Sequence, residues 1–326
     1  MLQDNHNRVI SYLRISVTDR CNFRCVYCMP ETGVELAPRD EILSFEEIAR
    51  VANVGATLGL TKIRITGGEP TVRRDLPGLI QMLRAIPGIS EIAMTTNAAR
   101  LEELAQPLKD AGMTRLNISL DTLQREKFIK LARRDFYDAT MRGVETAARI
   151  FPLKFNAVAM RGVNDDELGD LVRFAHGHDA PMRFIEYMPM GAARFDSQSK
   201  FIGENEMREI LSREFDLEST PEYGRTFDPA SPWICRQSGA RVGFISSMSD
   251  HFCASCNRMR LTAQGGLRPC LHQNSETDVR QILRGGGSDE GIADAFRAAA
   301  DSKWAGHRMN DFIPLFSAKD MVSLGG

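Results

Sequence analysis

The chain has 326 residues, with 41 basic against 43 acidic side chains for a formal charge of −2, and seven cysteines. That length predicts about two domains, and the near-neutral balance gives no footprint for nucleic acid or an anionic membrane surface. MLQDNHNRVI lacks the charged-then-apolar layout of a secretory signal, and no apolar run approaches the roughly 20 residues of a membrane span. A cytoplasmic protein is therefore expected, where an odd number of cysteines argues for metal or catalysis over disulfides.

In chain order, SYLRISV, TKIRITGG, EIAMTTN, TRLNISLD, KFNAVAM and MRFIEYM read as strands up to residue 188. Helical patterns such as FEEIARVANVGATLG and DLPGLIQMLRAI lie between several of them, which predicts an α/β fold with a parallel sheet, open or closing toward a barrel. Leu13, Ile15, Ile63, Ile65, Ile92, Met94, Leu116, Ile118 and Phe155 fall in the phase that faces covering helices. The alternate phase carries Arg14, Ser16, Arg64, Thr66, Thr95, Asn97, Asn117, Ser119, Asp121, Lys154 and Asn156. So many polar groups on one sheet face predict a wide, wet lumen that accepts a polar ligand; the alternative is a solvent-exposed sheet face, rare for parallel sheets.

Chemistry in such folds sits in the loops after the strands. After the first strand comes CNFRCVYC, with Cys21, Cys25 and Cys28; after the second comes GGEP, Gly67 to Pro70, whose glycines allow close backbone approach and whose Glu69 can accept from an amine. Zinc normally takes four protein ligands, whereas three thiolates leave one iron of a four-iron cluster open.

Further on, NEMREILSREF reads as a helix, and ARVGFISS and RMRLTAQGGLRP as strands, the latter with a Gly-Gly turn. The last third also carries a second set, Cys253, Cys256 and Cys270, with Arg258 and Arg260 directly after the CxxC. This spacing suits zinc as well as iron–sulfur, and His251 or His272 would complete a zinc site. Cys235 reads as a small buried hydrophobe.

CxxxCxxC with Tyr27 before the last cysteine, followed by GGEP, resembles the radical S-adenosylmethionine enzymes. Within them, the ordered series LRISVTDRCNFRCVYCMP, KIRITGGEP, MTTN, LNISLD, MRFIEYMPM, CNRMRLT, LRPCL and terminal SLGG resembles the GTP 3′,8-cyclases of molybdenum cofactor biosynthesis. The resemblance implies a partial (β/α)6 TIM-type barrel over residues 1–190 and a C-terminal α+β extension over 191–326. It implies two [4Fe-4S] clusters, on Cys21, Cys25 and Cys28 and on Cys253, Cys256 and Cys270, the first chelating S-adenosylmethionine and the second meeting the guanine of GTP. Residues matching the S-adenosylmethionine contacts are Tyr27, Gly68, Ser119 and Met188, with Glu69 beside them; those matching GTP contacts are Arg14, Arg64, Thr95, Lys154, Arg258 and Arg260. Arg258 and Arg260, with a tail of Gly325 and Gly326 reaching the active site, carry catalytic roles in this reading. The implied partners are GTP, an electron donor, the next pathway enzyme and, for some relatives, a second copy in a homodimer, with no nucleic acid and no membrane. Ala98-Ala99 stands where the family commonly has glycine, so the loop after the third strand is expected to differ.

Two other functions compete. A radical enzyme with an auxiliary cluster that acts, for example, on a peptide would keep the first triad but need not keep the arginine set or the glycine tail; a zinc-stabilised binding protein would explain both triads as structural sites, but not why each stops at three thiols nor why GGEP lies beside one of them. The tail reading predicts that a bulky residue added after Gly326 abolishes GTP-dependent turnover while leaving the thermal melt unchanged, measured by product formation and calorimetry on the same preparation.

Overall fold

A computed structural model describes residues 1–190, 197–220, 229–307 and 321–324. Gly325, Gly326 and most of the Gly191–Gln198 stretch lie outside the described residues.

Six parallel strands follow one another in sequence and in space: β1 (Tyr12–Ser16), β2 (Lys62–Thr66), β3 (Glu91–Thr96), β4 (Arg115–Ser119), β5 (Leu153–Ala159) and β6 (Met182–Glu186). Between them run α1 (Phe45–Thr57), α2 (Leu76–Arg84), α3 (Leu101–Asp110), α4 (Arg125–Ala132), α5 (Tyr137–Ala148) and α6 (Leu168–Gly177). The start of α1 is written in its sequence. Ser44 Oγ accepts from the Glu47 amide at 3.1 Å and the Glu47 carboxylate accepts from the Ser44 amide at 2.7 Å, a reciprocal cap. The nine apolar strand residues expected to face helices are at most 1% exposed, each contributing about 1.5–3 kcal/mol of burial.

After β6 come α7 (Ser197–Lys200), α8 (Glu204–Ser212), β7 (Leu217–Ser219), β8 (Ser231–Cys235), β9 (Arg241–Ile245), β10 (Arg258–Leu261), β11 (Gly266–Arg268), β12 (Thr277–Asp278), α9 (Val279–Arg284), α10 (Asp289–Asp301) and α11 (Met321–Leu324). These strands lengthen the sheet at both edges. β10 pairs parallel with β1 and β9 parallel with β6, giving one open sheet in the order β12-β11-β10-β1-β2-β3-β4-β5-β6-β9-β8-β7. The junction at β6 is held by Glu186, fully buried, which accepts from the amides of Glu204 at 2.9 Å, Met248 at 2.7 Å and Ser249 at 2.9 Å.

Ahead of β1 a small hairpin closes where Gln3 bridges Val9. Inside it the buried Asp4 accepts from Arg8 Nε at 2.6 Å and from the amides of His6 at 2.9 Å and Arg8 at 3.0 Å. Burial alone would raise the Asp4 carboxyl; the bonds from Arg8 and His6 outweigh it and hold the carboxyl below its ordinary value. A lowered folded value means the pair stabilises the fold above the ordinary carboxylate range, and that contribution disappears as pH falls through the folded value. Asp4→Asn should therefore cost about 3 kcal/mol at pH 7, and its urea midpoint should converge on that of the unaltered chain as the pH is taken below about 4.

Candidate functional site

The polar strand phase lines a cavity of about 620 Å³. Arg14, Arg64, Thr66, Thr95, Asn97, Asn117, Ser119, Lys154 and Asn156 all reach it, as the period-two reading expected. Ser16 and Asp121 do not line it: Ser16 is buried, and Asp121 accepts from Tyr27 Oη at 2.6 Å and from the Val158 amide at 2.9 Å.

Strand register makes the positive charge dense. Arg14 on β1 is the partner of Arg260 on β10 and of Arg64 on β2, so three guanidinium groups stand abreast; one pair lower, Tyr12 stands between Arg258 and Lys62. Like charges directly opposite one another destabilise a sheet. Burial, with Arg260 and Arg64 alongside, pulls the Arg14 guanidinium well below its ordinary value, and burial with Arg258 beside it brings Arg260 down to about 10. Arg64 donates through Nε to Tyr12 Oη and through Nη1 to Thr95 Oγ1 at 3.2 Å. Against burial, Arg64 and Arg14 lower the Tyr12 phenol.

Three further cations reach the cavity that strand-by-strand reading passed over: Lys62, Arg115 and Arg183. Lys62 and Arg115 each precede a lumen residue by two positions in the same strand, so the period-two rule already contained them. Arg183 lies between the core-facing Met182 and Phe184, so it follows from the same rule on β6, where it is the partner of Asn156. Glu91 pairs with Arg115 at 2.5 Å and with Lys62 at 3.9 Å, which neutralises part of this end.

The two triads lie at opposite ends of the lumen. Cys21, Cys25 and Cys28 follow the C-terminal end of β1, whereas Cys253 and Cys256 precede the N-terminal end of β10, which runs parallel to β1 with Arg258 level with Tyr12. The four residue steps from Tyr12 to Ser16 separate these levels by about 13 Å of strand. Cys270 joins the second set because the β10–β11 hairpin is antiparallel and returns to the start of β10.

The first triad loop is pinned by its backbone: Arg24 N donates to Ala132 O at 2.8 Å and Val26 N to Leu131 O at 3.0 Å, while the Phe23 ring meets Phe128 edge-on at 5.5 Å and Phe136 at 5.7 Å. Burial, then the Glu69 charge, pushes the Cys21 thiol up to about 12, and burial with Cys28 and Asp121 nearby pushes Cys25 well up. At the second triad burial is outweighed by Arg258 and Lys303, which bring Cys256 down to about 6; burial, with its sister thiols, raises Cys253. All six are free thiols. Among the described residues no three His, Cys, Asp or Glu converge as ligands of one metal ion, whereas a four-iron cluster takes its thiolates at separate corners. The buried Asn156 Oδ1 at the cavity wall also lacks a hydrogen-bond partner among the described residues. Three thiols at each end, a buried acceptor and a row of cations between them are a donor set that fits two clusters and polar cofactor and substrate groups.

Tyr27, Gly68, Ser119 and Met188 all line the cavity. Met188 also packs with Met190 and Met248. Glu69 lines it too. Its carboxylate accepts from the Thr71 amide at 3.1 Å, Thr71 Oγ1 at 2.6 Å, Thr96 Oγ1 at 2.7 Å and the Asn97 amide at 2.8 Å, the last alone on Oε2, so it ties the GGEP turn to the end of β3 with acceptor capacity left on Oε2. Ala98 follows in a left-handed conformation, φ 64°, where glycine would be unstrained. Gly68 lies against the first triad loop. Its amide donates to Thr18 O at 2.8 Å, and a Cβ there would sit 2.3 Å from Arg20 O. Gly68→Ala should displace this loop and lower bound iron per chain by roughly half, with the second triad still loaded, as read by anaerobic iron and sulfide assay.

Residues 15–175 match the Radical SAM superfamily and residues 180–309 match Molybdenum Cofactor Synthesis C. The GTP 3′,8-cyclase of Moorella thermoacetica is 44% identical over 95% of this chain and 96% of its own length, and that of Syntrophomonas wolfei 42% identical over 99% of each. Streptococcus suis SuiB, solved with S-adenosylmethionine, has the same fold with a TM-score of 0.60, at 16% identity over 90% of this chain and 69% of its own. With near full-length identity of this order, the chain belongs to the GTP 3′,8-cyclase family of radical S-adenosylmethionine enzymes.

Proposed function

We propose that this chain converts GTP to (8S)-3′,8-cyclo-7,8-dihydroguanosine 5′-triphosphate, the first step of molybdenum cofactor biosynthesis, in the cavity between its two thiol triads. One observation carries the reading: two three-thiol sets bracket a single cavity whose wall is a row of arginines. When bound, the clusters and cofactor would supply one-electron reductive cleavage of S-adenosylmethionine to methionine and a 5′-deoxyadenosyl radical able to take the C3′ hydrogen of GTP, with C3′ then bonding to C8 and one further electron and a proton giving the dihydro product.

Cys21, Cys25 and Cys28 would hold one four-iron cluster and Cys253, Cys256 and Cys270 the other; thiol protons leave as they bind. Tyr27, Gly68, Ser119, Met188 and Glu69 would frame S-adenosylmethionine, Glu69 also bracing the turn that carries Gly68. Arg14, Arg64, Lys154, Arg258 and Arg260 would grip the triphosphate, the guanidinium groups in pairs of hydrogen bonds and the lysine as a compact charge, with Thr95 supplying a hydroxyl. A polyanion relieves the repulsion of the abreast guanidiniums, so binding and cavity electrostatics favour each other. Lys62, Arg115 and Arg183 would extend the same grip. His251, Phe252, Leu271 and Val322 from the C-terminal part line the same cavity; in this reading they and the tail of Gly325 and Gly326 would keep water from the reacting carbon.

The arginine row disfavours a peptide as substrate. A barrel at 1–190 with an extension at 191–326, an electron donor, transfer of product to the next pathway enzyme, a homodimer and a cytoplasmic setting belong to the same proposal. No described helix is long and apolar enough to cross a membrane.

Anaerobic protein with reductant and S-adenosylmethionine should form 5′-deoxyadenosine and a cyclised nucleotide, both dependent on GTP, by mass spectrometry. Arg64→Met should weaken GTP binding about 10- to 100-fold, from the loss of charge-assisted hydrogen bonds, while iron content stays unchanged. Cleavage of S-adenosylmethionine without nucleotide conversion would overturn the GTP assignment.

A further inference from the structure

Two buried cations far apart in sequence stand behind the second triad. Lys303, just beyond α10 and 3% exposed, donates through Nζ to Arg258 O at 2.7 Å and to Pro269 O at 2.6 Å. Those carbonyls belong to the residue two after Cys256 and the residue directly before Cys270. One ammonium thus ties two ligand-bearing segments that the hairpin only brings near each other.

Arg8, in the N-terminal hairpin, grips the third. Its Nη1 donates to the carbonyl of Cys253 itself at 2.7 Å and to Ala305 O at 3.0 Å, and Nη2 to Trp304 O at 2.6 Å, while Asp4 orients the guanidinium through Nε at 2.6 Å. Arg8 and Lys303 are linked in turn, because the carbonyls of residues 304 and 305 directly follow Lys303. Every cysteine of the second triad therefore has a carbonyl at or within two residues held by a buried cation.

A neutral donor would satisfy a carbonyl at lower desolvation cost, since burying an ammonium costs several kcal/mol unless negative charge offsets it. Arg8 has Asp4 for that purpose. The described hydrogen-bond partners of Lys303 are two neutral oxygens, and it lines the cavity beside the thiols. Three thiolates and a four-iron core carry net negative charge that grows on reduction, which is what such an ammonium would complement.

We propose that Lys303 and Arg8 are positioning residues for the second cluster: Lys303 clips the Cys256 and Cys270 segments together and supplies positive charge to the group they hold, and Arg8 locks the Cys253 segment. This rests on the reading that the second triad holds an iron–sulfur cluster.

The test uses the full-length chain in two backgrounds, one with Cys21, Cys25 and Cys28 replaced by serine so that only the second triad loads, and one with the second triad so replaced. In the first background, Lys303→Met should lower the midpoint potential followed by electron paramagnetic resonance and speed iron loss to a chelator about 10-fold. Lys303→Arg, which keeps the charge but shifts its hydrogen bonds, should retain the potential while still losing iron faster. Arg8→Lys should speed iron loss with little change in potential, and none of the three should alter the cluster in the second background. An unchanged potential and iron-loss rate in Lys303→Met would overturn the proposal, as would equal loss from both triads, the mark of general destabilisation. Failure of the unaltered second triad to bind iron and sulfide would instead overturn the reading beneath it.

Discussion

Like charges held abreast by strand register constrain this molecule more than any other feature. Arg260, Arg14 and Arg64 are partners across β10, β1 and β2, buried or nearly so, on the concave face of a parallel sheet. Such a row is unfavourable by itself. It persists because the opposite face of the same strands is packed to exclusion with Leu13, Ile15, Ile63 and Ile65 against the helices, so that no strand can rotate or slip by one residue without exchanging core for lumen. The apolar face thus holds in place a densely cationic polar face.

The same register distributes the reactive groups. Loops leaving the strands deliver one thiol triad, and the segment entering β10 delivers the other, so parallel pairing of β10 with β1 places the two sets at opposite ends of one cavity. Their surroundings differ. Around Cys21 and Cys25, burial raises the thiols, with Glu69 adding to it at the first and Cys28 and Asp121 at the second, and the loop is fixed by backbone bonds to residues 131 and 132. Around Cys256, Arg258 and Lys303 favour the thiolate, and cations from distant parts of the chain hold the backbone. A site that meets an anionic substrate and one that meets a sulfonium cofactor would be expected to differ in this sense.

Most of the lumen was legible because strands alternate with period two: nine of the eleven polar positions read from that rule line the cavity, and the nine apolar ones are buried. The failures are instructive. Asp121 lies past the end of β4, where the alternation stops applying, and is taken up by Tyr27. That Glu69 also accepts from Thr71, Thr96 and Asn97 was not legible, because their approach depends on how the β2 and β3 ends meet. Arg183 alternates with the core residues Met182 and Phe184, so the same rule contained it; only its pairing with Asn156 was beyond the sequence.

Local order was decided by the sequence alone: which segments are strands, which face of each is apolar, where the helices begin, and that six of seven cysteines come in two sets of three. Those properties depend on backbone periodicity and on residue spacing, both local. What only the tertiary structure decided is non-local. It decided that β9 and β10 extend the barrel sheet at its two edges, that three arginines become neighbours, that Glu69 braces a turn, and that Arg8 and Lys303, 295 residues apart, converge on one cysteine triad. Strand pairing and the satisfaction of buried carbonyls join groups without regard to their separation along the chain, so no reading of spacing could have supplied them.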